Sequence, residues 1–276
     1  MIDGNCALCH KDRKLCESHF MPKALGDPLR TDDIDPIQVT DEVVMLTRRM
    51  LKHPLLCFHC EQSLCTEGET WVLPLLARID GSFPFLDLIE QQPPLVTGDG
   101  VELYGVTANP EIDRQKLINF GLGIFFKAAV HSWRGGETKP WIDLGSHTEE
   151  LRKYLVGEAD FPKNMALVLM VDPEITRHIG IHQPLRGSNP DFMNFHFYVP
   201  GIFFHLCLGE NIVEQKALCL VSVSEGPVLV KSVFDDVIGL VRESQKKARK
   251  GKKVMEVIAR ADELDELRRK LWEGTE

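Results

Sequence analysis

Apolar residues follow two rhythms along this 276-residue chain. Between residues 113 and 131, Leu117, Ile118, Phe120, Leu122, Ile124, Phe125 and Ala128 cover most sides of a helical wheel. That pattern predicts a helix buried in a core, its apolar run cut by Lys127. Residues 149–155 predict a shorter helix with Gly157 beyond its end. After residue 160 the rhythm becomes β-like. Residues 165–171 form a continuous apolar run, as in a strand buried on both faces. Residues 192–197 alternate aromatic with polar side chains, and 202–208, 217–223 and 227–232 complete an expected antiparallel set. Nearer the start, Val43, Val44, Leu46, Met50 and Leu51 predict a helix over 40–52, capped by Thr40 or Asp41 and stopped by Pro54. A second helix is expected over 60–76, interrupted by Gly68 and Pro74. Residues 79–107 are rich in Pro and Gly, with turns expected at 91–94 and 97–100. The chain closes with helical patterns at 235–243 and 254–272. In the latter, Val254, Val257, Ile258, Ala261, Leu264, Leu267 and Leu271 recur at helical spacing, which suits packing on the domain or on a partner chain. The expected fold is α+β: a small module over 1–76, then an α+β domain over 77–276 with an antiparallel sheet and a basic, amphipathic C-terminal helix.

Composition and charge narrow the function classes. The chain is 43% hydrophobic and 26% charged, which argues against wholesale disorder. No apolar run approaches the ~18–20 residues that span a bilayer. The N-terminus has no export pattern, so the expected location is the cytoplasm. A net charge of −9 argues against coating nucleic acid through bulk charge. That figure conceals a block over residues 242–253 with a local charge of +6, which leaves −15 on the rest. Lys246, Lys247, Arg249 and Lys250 in this block, with Lys23 near the start, are the candidate nucleic-acid contacts. The same composition also suits a solvated helix face. A protein partner or a homo-dimer is the other expected association.

Cysteine usage points to chemistry. Six of the eight cysteines lie in the first 65 residues: Cys6, Cys9, Cys16, Cys57, Cys60 and Cys65. Two C-x2-C pairs, Cys6/Cys9 and Cys57/Cys60, stand 47 residues apart. In a reducing compartment such pairs read as metal ligands before disulfides. Each pair can place two thiolates on one ion, and together they complete a closed tetrahedral site for structural Zn²⁺. A module this short has little core of its own, so metal binding would supply much of its folding energy. Cys16 and Cys65 lack a C-x2-C partner, and Cys207 and Cys219 are expected in the core. Elsewhere there is no Walker or dinucleotide fingerprint and no G-x-S-x-G elbow. His178 and His182 stand four apart, but Gly180 and the β-rich context favour ordinary loop histidines. His196 and His205 are expected to be satisfied within the core.

The segment Cys6-Ala7-Leu8-Cys9, then Glu17-Ser18-His19-Phe20-Met21-Pro22-Lys23, resembles the opening of an HNH-type (treble-clef, ββα-metal) nuclease domain. Leu55-Leu56-Cys57-Phe58-His59-Cys60-Glu61 resembles that family's second knuckle and the helix that follows it. In particular the chain resembles a bacterial branch with SHxxPK … LLCxxCE motifs. The resemblance covers the first 75 residues well and the remainder loosely. It implies a zinc-bound treble clef, metal-dependent hydrolysis of DNA or RNA phosphodiesters, and a bacterial or phage defence setting. It places His19 as general base and Glu61 as a ligand of catalytic Mg²⁺ or Mn²⁺, assisted by Glu67 or Glu69. The chain departs from the family's pattern at two places. Ser18 stands where many active members carry a metal-binding Asp. Lys52, His53 and Pro54 stand where an Asn that orients the base is expected, with His53 a candidate substitute. The alternative reading is a catalytically inactive zinc-binding module that binds protein or nucleic acid.

Overall fold

The computed structural model describes residues 2–29, 37–39, 44–46, 50–78, 80–98, 100–133, 138–173, 180–212, 218–220 and 228–231. The chain divides into two compact units. One contains residues 1–25 and 50–233. The other contains residues 26–49 and 234–276.

The first unit opens with strands β1 (Ile2–Asn5) and β2 (Asp12–His19). A small hairpin, β3 (Ile37–Val39) with β4 (Val44–Leu46), belongs to the second unit. Strand β5 (Lys52–Cys57) returns to the first and completes an antiparallel sheet in the order β1-β2-β5. The helix expected over 40–52 is therefore a misreading at every one of its positions that is assigned to an element. Val44 to Leu46 pair with Ile37 to Val39, and Lys52 opens β5. β-Branched residues in both segments fit a pleated ladder better than a helix. Pro54 lies inside β5, not at a helix end. It faces Glu17 where the β2–β5 register slips, as suits a residue with no N–H for the ladder.

The helical stretch expected over 60–76 is present and starts slightly earlier. It consists of α1 (Phe58–Leu64), a π-helical turn (Cys65–Glu69), α2 (Thr70–Val72) and a final 3₁₀ turn that carries Pro74. Helix α3 (Pro84–Ile89), strands β6 (Val96–Gly98) and β7 (Val101–Gly105), and the long helix α4 (Arg114–Val130) follow. Asp113 caps α4 by accepting the Lys116 N–H at 3.1 Å. Helix α5 (His147–Leu155) ends before Gly157, whose φ of +72° suits glycine.

Strands β8 (Met165–Val171), β9 (His182–Arg186), β10 (Met193–Val199), β11 (Ile202–Leu208) and β12 (Val228–Lys231) join β6 and β7 in a seven-stranded sheet. Its order is β6-β7-β12-β8-β11-β10-β9. The sheet is mixed, not wholly antiparallel as expected, because β12 enters parallel to β8, with Val230 beside Met170. The strand expected over 217–223 does not form at residues 218–220; its other positions lie outside the described residues. So do the helices expected at 235–243 and 254–272. No helix among the described residues is long and apolar enough to cross a membrane.

Helix α4 is the centre of the core, and residues 117–118 and 120–129 of it are buried. Phe120 meets Phe204 of β11 at 5.6 Å between ring centroids, and Phe125 meets Phe197 of β10 at 4.9 Å. On its other side α4 packs against the π-helical turn. There Gly68 comes so close that a Cβ would lie 2.9 Å from the Phe120 backbone nitrogen. The small sheet joins the same core: Phe20 stacks on Trp133 at 4.9 Å, and Phe20 and Trp133 are both buried.

Replacing Gly68 with Ala should lower stability by about 1–3 kcal/mol, because backbone must move to admit the methyl group. Gly98→Ala, with nothing within 4 Å of the new Cβ, should shift stability by about 0.5 kcal/mol or less. Urea denaturation of both variants against wild type measures the contrast.

Candidate metal centre

The first cysteine pair sits on a tight turn between β1 and β2. The His10 N–H donates to the Cys6 carbonyl at 2.8 Å, and the Cys6 N–H donates to the Lys11 carbonyl at 3.0 Å. His10 adopts φ +57° to close the turn. Asn5 steadies it by donating from Nδ2 to the His10 carbonyl. The second pair straddles a strand end and a helix start: Cys57 closes β5 and Cys60 lies in the first turn of α1. The two pairs are tied directly. The Ala7 N–H donates to the Leu55 carbonyl, and the Cys57 N–H donates to Cys6 Sγ at 3.2 Å.

The ligand atoms of Cys6, Cys9, Cys57 and Cys60 all lie within 4.8 Å of one another. Cys9 Sγ and Cys57 Sγ are 3.9 Å apart. Tetrahedral zinc with Zn–S bonds of about 2.3 Å requires sulfurs roughly 3.8 Å apart, so the four thiols fit such an ion. Three of them are buried. Without a cation their burial is awkward. Burial, and then the Cys57 thiol, push Cys60 well above the ordinary thiol range. Burial also raises Cys57, but hydrogen bonds from the Cys60 backbone and from the surrounding thiols outweigh it and bring Cys57 down to about 7. A metal that takes thiolates resolves this crowding. Among the described residues this is the one group of three or more His, Cys, Asp or Glu side chains able to hold a metal ion. Cys16 and Cys65 are not part of it, and His10 and His59 are exposed neighbours.

The knuckle is braced by α5. Buried Arg152 of α5 donates from Nη1 to the Leu8 carbonyl at 3.0 Å. Its other nitrogens reach Glu149 and Glu158 at 2.6–2.9 Å. These carboxylates raise the Arg152 pKa.

Beside the thiols lies a cluster of charges. Glu61 follows Cys60 on α1. Its Oε2 is 3.6 Å from Lys127 Nζ, and Glu69 Oε1 is 3.7 Å from the same nitrogen. The Lys127 side chain is only 3% exposed. Glu61 Oε1 is buried and has no hydrogen-bond partner among the described residues. Eight residues of regular α-helix would leave Glu69 about 80° out of line with Glu61. The π-helical turn, wider than an α-turn, takes up that difference and brings both carboxylates to Lys127. Burial raises the Glu69 pKa, Lys127 opposes the rise and Glu61 adds to it. Glu67, the other expected assistant, is exposed and not part of the cluster.

His19 ends β2 and is half-buried. Burial lowers its pKa below the ordinary 6.5; Lys127 adds to that, and Glu61 opposes it. His19 is thus near enough to the cluster to feel both charges. Ser18 is buried, and its Oγ accepts the Leu56 N–H at 3.1 Å. His53 faces Ser18 across the ladder and stacks on His131 with ring centroids 4.0 Å apart. Lys23 is exposed at the start of a 3₁₀ turn. Lys246, Lys247, Arg249 and Lys250 lie outside the described residues, as does His178. His182 lies in strand β9, not in a helix. Burial, and then His196, bring His205 down to about 4. Lys127 was missed as a site residue, although a lysine inside the most apolar helical run was the available signal.

Comparison with protein-family models, with curated proteins and with solved structures finds no match.

Cys57→Ser should cut zinc content well below one ion per chain and lower the melting temperature. A strong chelator should do the same to the wild type. Metal analysis alongside thermal denaturation tests both; undiminished zinc in Cys57→Ser would remove that residue from the ligand set.

Proposed function

We propose that the N-terminal part of the chain is a treble clef of the HNH type, stabilised by zinc, and that it hydrolyses nucleic-acid phosphodiesters. The knuckle, the β2–β5 hairpin and α1 are the parts such a module needs, in the required order. The observation that carries the activity is the position of His19. It ends the hairpin strand, half-buried, within the electrostatic reach of Glu61 on the helix that follows the last cysteine. His19 would take a proton from water as its oxygen attacks phosphorus and the ester P–O bond breaks. Its lowered pKa keeps it neutral, and so able to accept that proton, at pH 7. Mg²⁺ or Mn²⁺ brought in with the substrate phosphate, and held only then through Glu61 against competition from Lys127, would stabilise phosphate charge. Lys23, exposed a few residues on from His19, is placed to meet a backbone phosphate.

A second reading, a phosphate- or protein-binding module without catalysis, is favoured by two observations. Lys127 already stands between the carboxylates, and Ser18, the residue in the Asp position, is committed to the Leu56 amide.

Plasmid, single-stranded DNA and RNA cleavage with Mg²⁺ or Mn²⁺ separates the two. Under the hydrolytic reading the wild type cuts, and His19→Ala loses roughly 10²–10⁴-fold in rate. The acid limb of the pH–rate profile should fall below 6.5, because the lowered pKa keeps the base form present in more acidic solution. Retained binding with no cleavage under any metal would favour the second reading. Equal cleavage by His19→Ala would remove His19 from the mechanism.

A further inference from the structure

We infer that Lys127 is the resident cation of the Glu61–Glu69 carboxylate pair, filling from within the fold the seat that a divalent ion would need. The inference rests on the hydrolytic reading only for what this cation serves; its placement stands on geometry. The ammonium lies 3.6 Å from one carboxylate and 3.7 Å from the other, so it is centred between them and committed to neither. Hydrogen-bonded pairs sit closer, at about 2.7–3.2 Å. An ammonium this buried requires compensation, and the two acids supply it. They come from a helix that a π-helical turn has rewound so that both face α4. One positive charge serves two carboxylates, and among the described residues Glu61 Oε1 is left buried with no donor. A divalent ion would compete directly with Lys127 for these oxygens. Lys127 is therefore a positioning residue: it holds Glu61 and Glu69 in place and sets the field at His19, which its charge already reaches.

The test uses the full, zinc-loaded chain and Mn²⁺ as the probe, since Mn²⁺ prefers oxygen ligands and zinc holds the thiols. Lys127→Met keeps the length of the side chain and removes its charge. It should melt below wild type, and millimolar Mn²⁺ should raise its melting temperature while leaving wild type unmoved. Its Mn²⁺ affinity should exceed that of wild type by at least about tenfold, since affinity follows the charge of the ligand set. Adding Glu61→Gln should abolish the Mn²⁺ response, and Lys127→Arg should behave as wild type. A purely packing role for Lys127 would produce no response to Mn²⁺. An Lys127→Met variant that Mn²⁺ does not stabilise would overturn the inference. So would a wild type that Mn²⁺ stabilises equally. If Lys127→Met fails to fold, electron paramagnetic resonance of Mn²⁺ with wild type decides. A site of about 1:1 stoichiometry that Glu61→Gln removes would sink the inference, and no such site supports it. Cleavage is scored separately: an inactive wild type overturns the hydrolytic reading and leaves the Mn²⁺ result as it stands.

Discussion

Four thiols within one ion's reach join two stretches of chain that are 47 residues apart, and the geometry of the whole N-terminal corner follows from that junction. Cys6 and Cys9 hold the turn between β1 and β2. Cys57 and Cys60 hold the end of β5 and the start of α1. Once these four points meet, the hairpin and the helix have little freedom left. His19, on the strand beside β5, and Glu61, next to Cys60, come to the same region because both are leashed to the centre. Loop-closure entropy grows slowly with length, so the long insert between the pairs costs little extra. Arg152 extends the constraint to α5 by holding the Leu8 carbonyl inside the first turn.

Buried charge is the second organising constraint. Helix α4 is buried along most of its length, yet it carries Lys127 into its packed face. An isolated ammonium there would be prohibitively costly. It is tolerated because the helix that packs across α4 presents two carboxylates, brought to one face by a π-helical turn and allowed close by Gly68. The same few residues thus fasten the four-cysteine corner to the core and place two acids around one cation, within electrostatic reach of His19. Among the described residues, the fit is incomplete at Glu61 Oε1.

The hairpin shows a smaller case of the same economy. Pro54 cannot donate to the ladder, the register slips beside it, and Ser18 uses its hydroxyl to accept the Leu56 amide. In the HNH reading, Ser18 stands at a metal-binding position. In this fold it serves the backbone instead, and the charge that an Asp would have brought is absent. The larger sheet then supplies the wall behind α4, with Phe197 and Phe204 stacked at 4.8 Å and facing Phe125 and Phe120.

Local chemistry was enough to locate the four thiols, because paired C-x2-C turns act at short range and need only meet once. It was also enough to locate α4, α5, β8 and β11, whose periodicities are long and unmixed. It failed for residues 44–46, where the five apolar side chains at 43, 44, 46, 50 and 51 fit a helical wheel while β-branched neighbours favoured a strand; the pairing with residues 37–39 settled the matter. It missed the parallel entry of β12, since strand direction depends on how a chain returns and not on what the strand contains. Lys127 was visible only as an interruption in an apolar run. Its meaning lay in Glu61 and Glu69, some 60 residues earlier in the chain. No local pattern encodes that meeting. It is decided by helix crossing, a glycine that permits close approach, and the electrostatic demand of an ammonium removed from water.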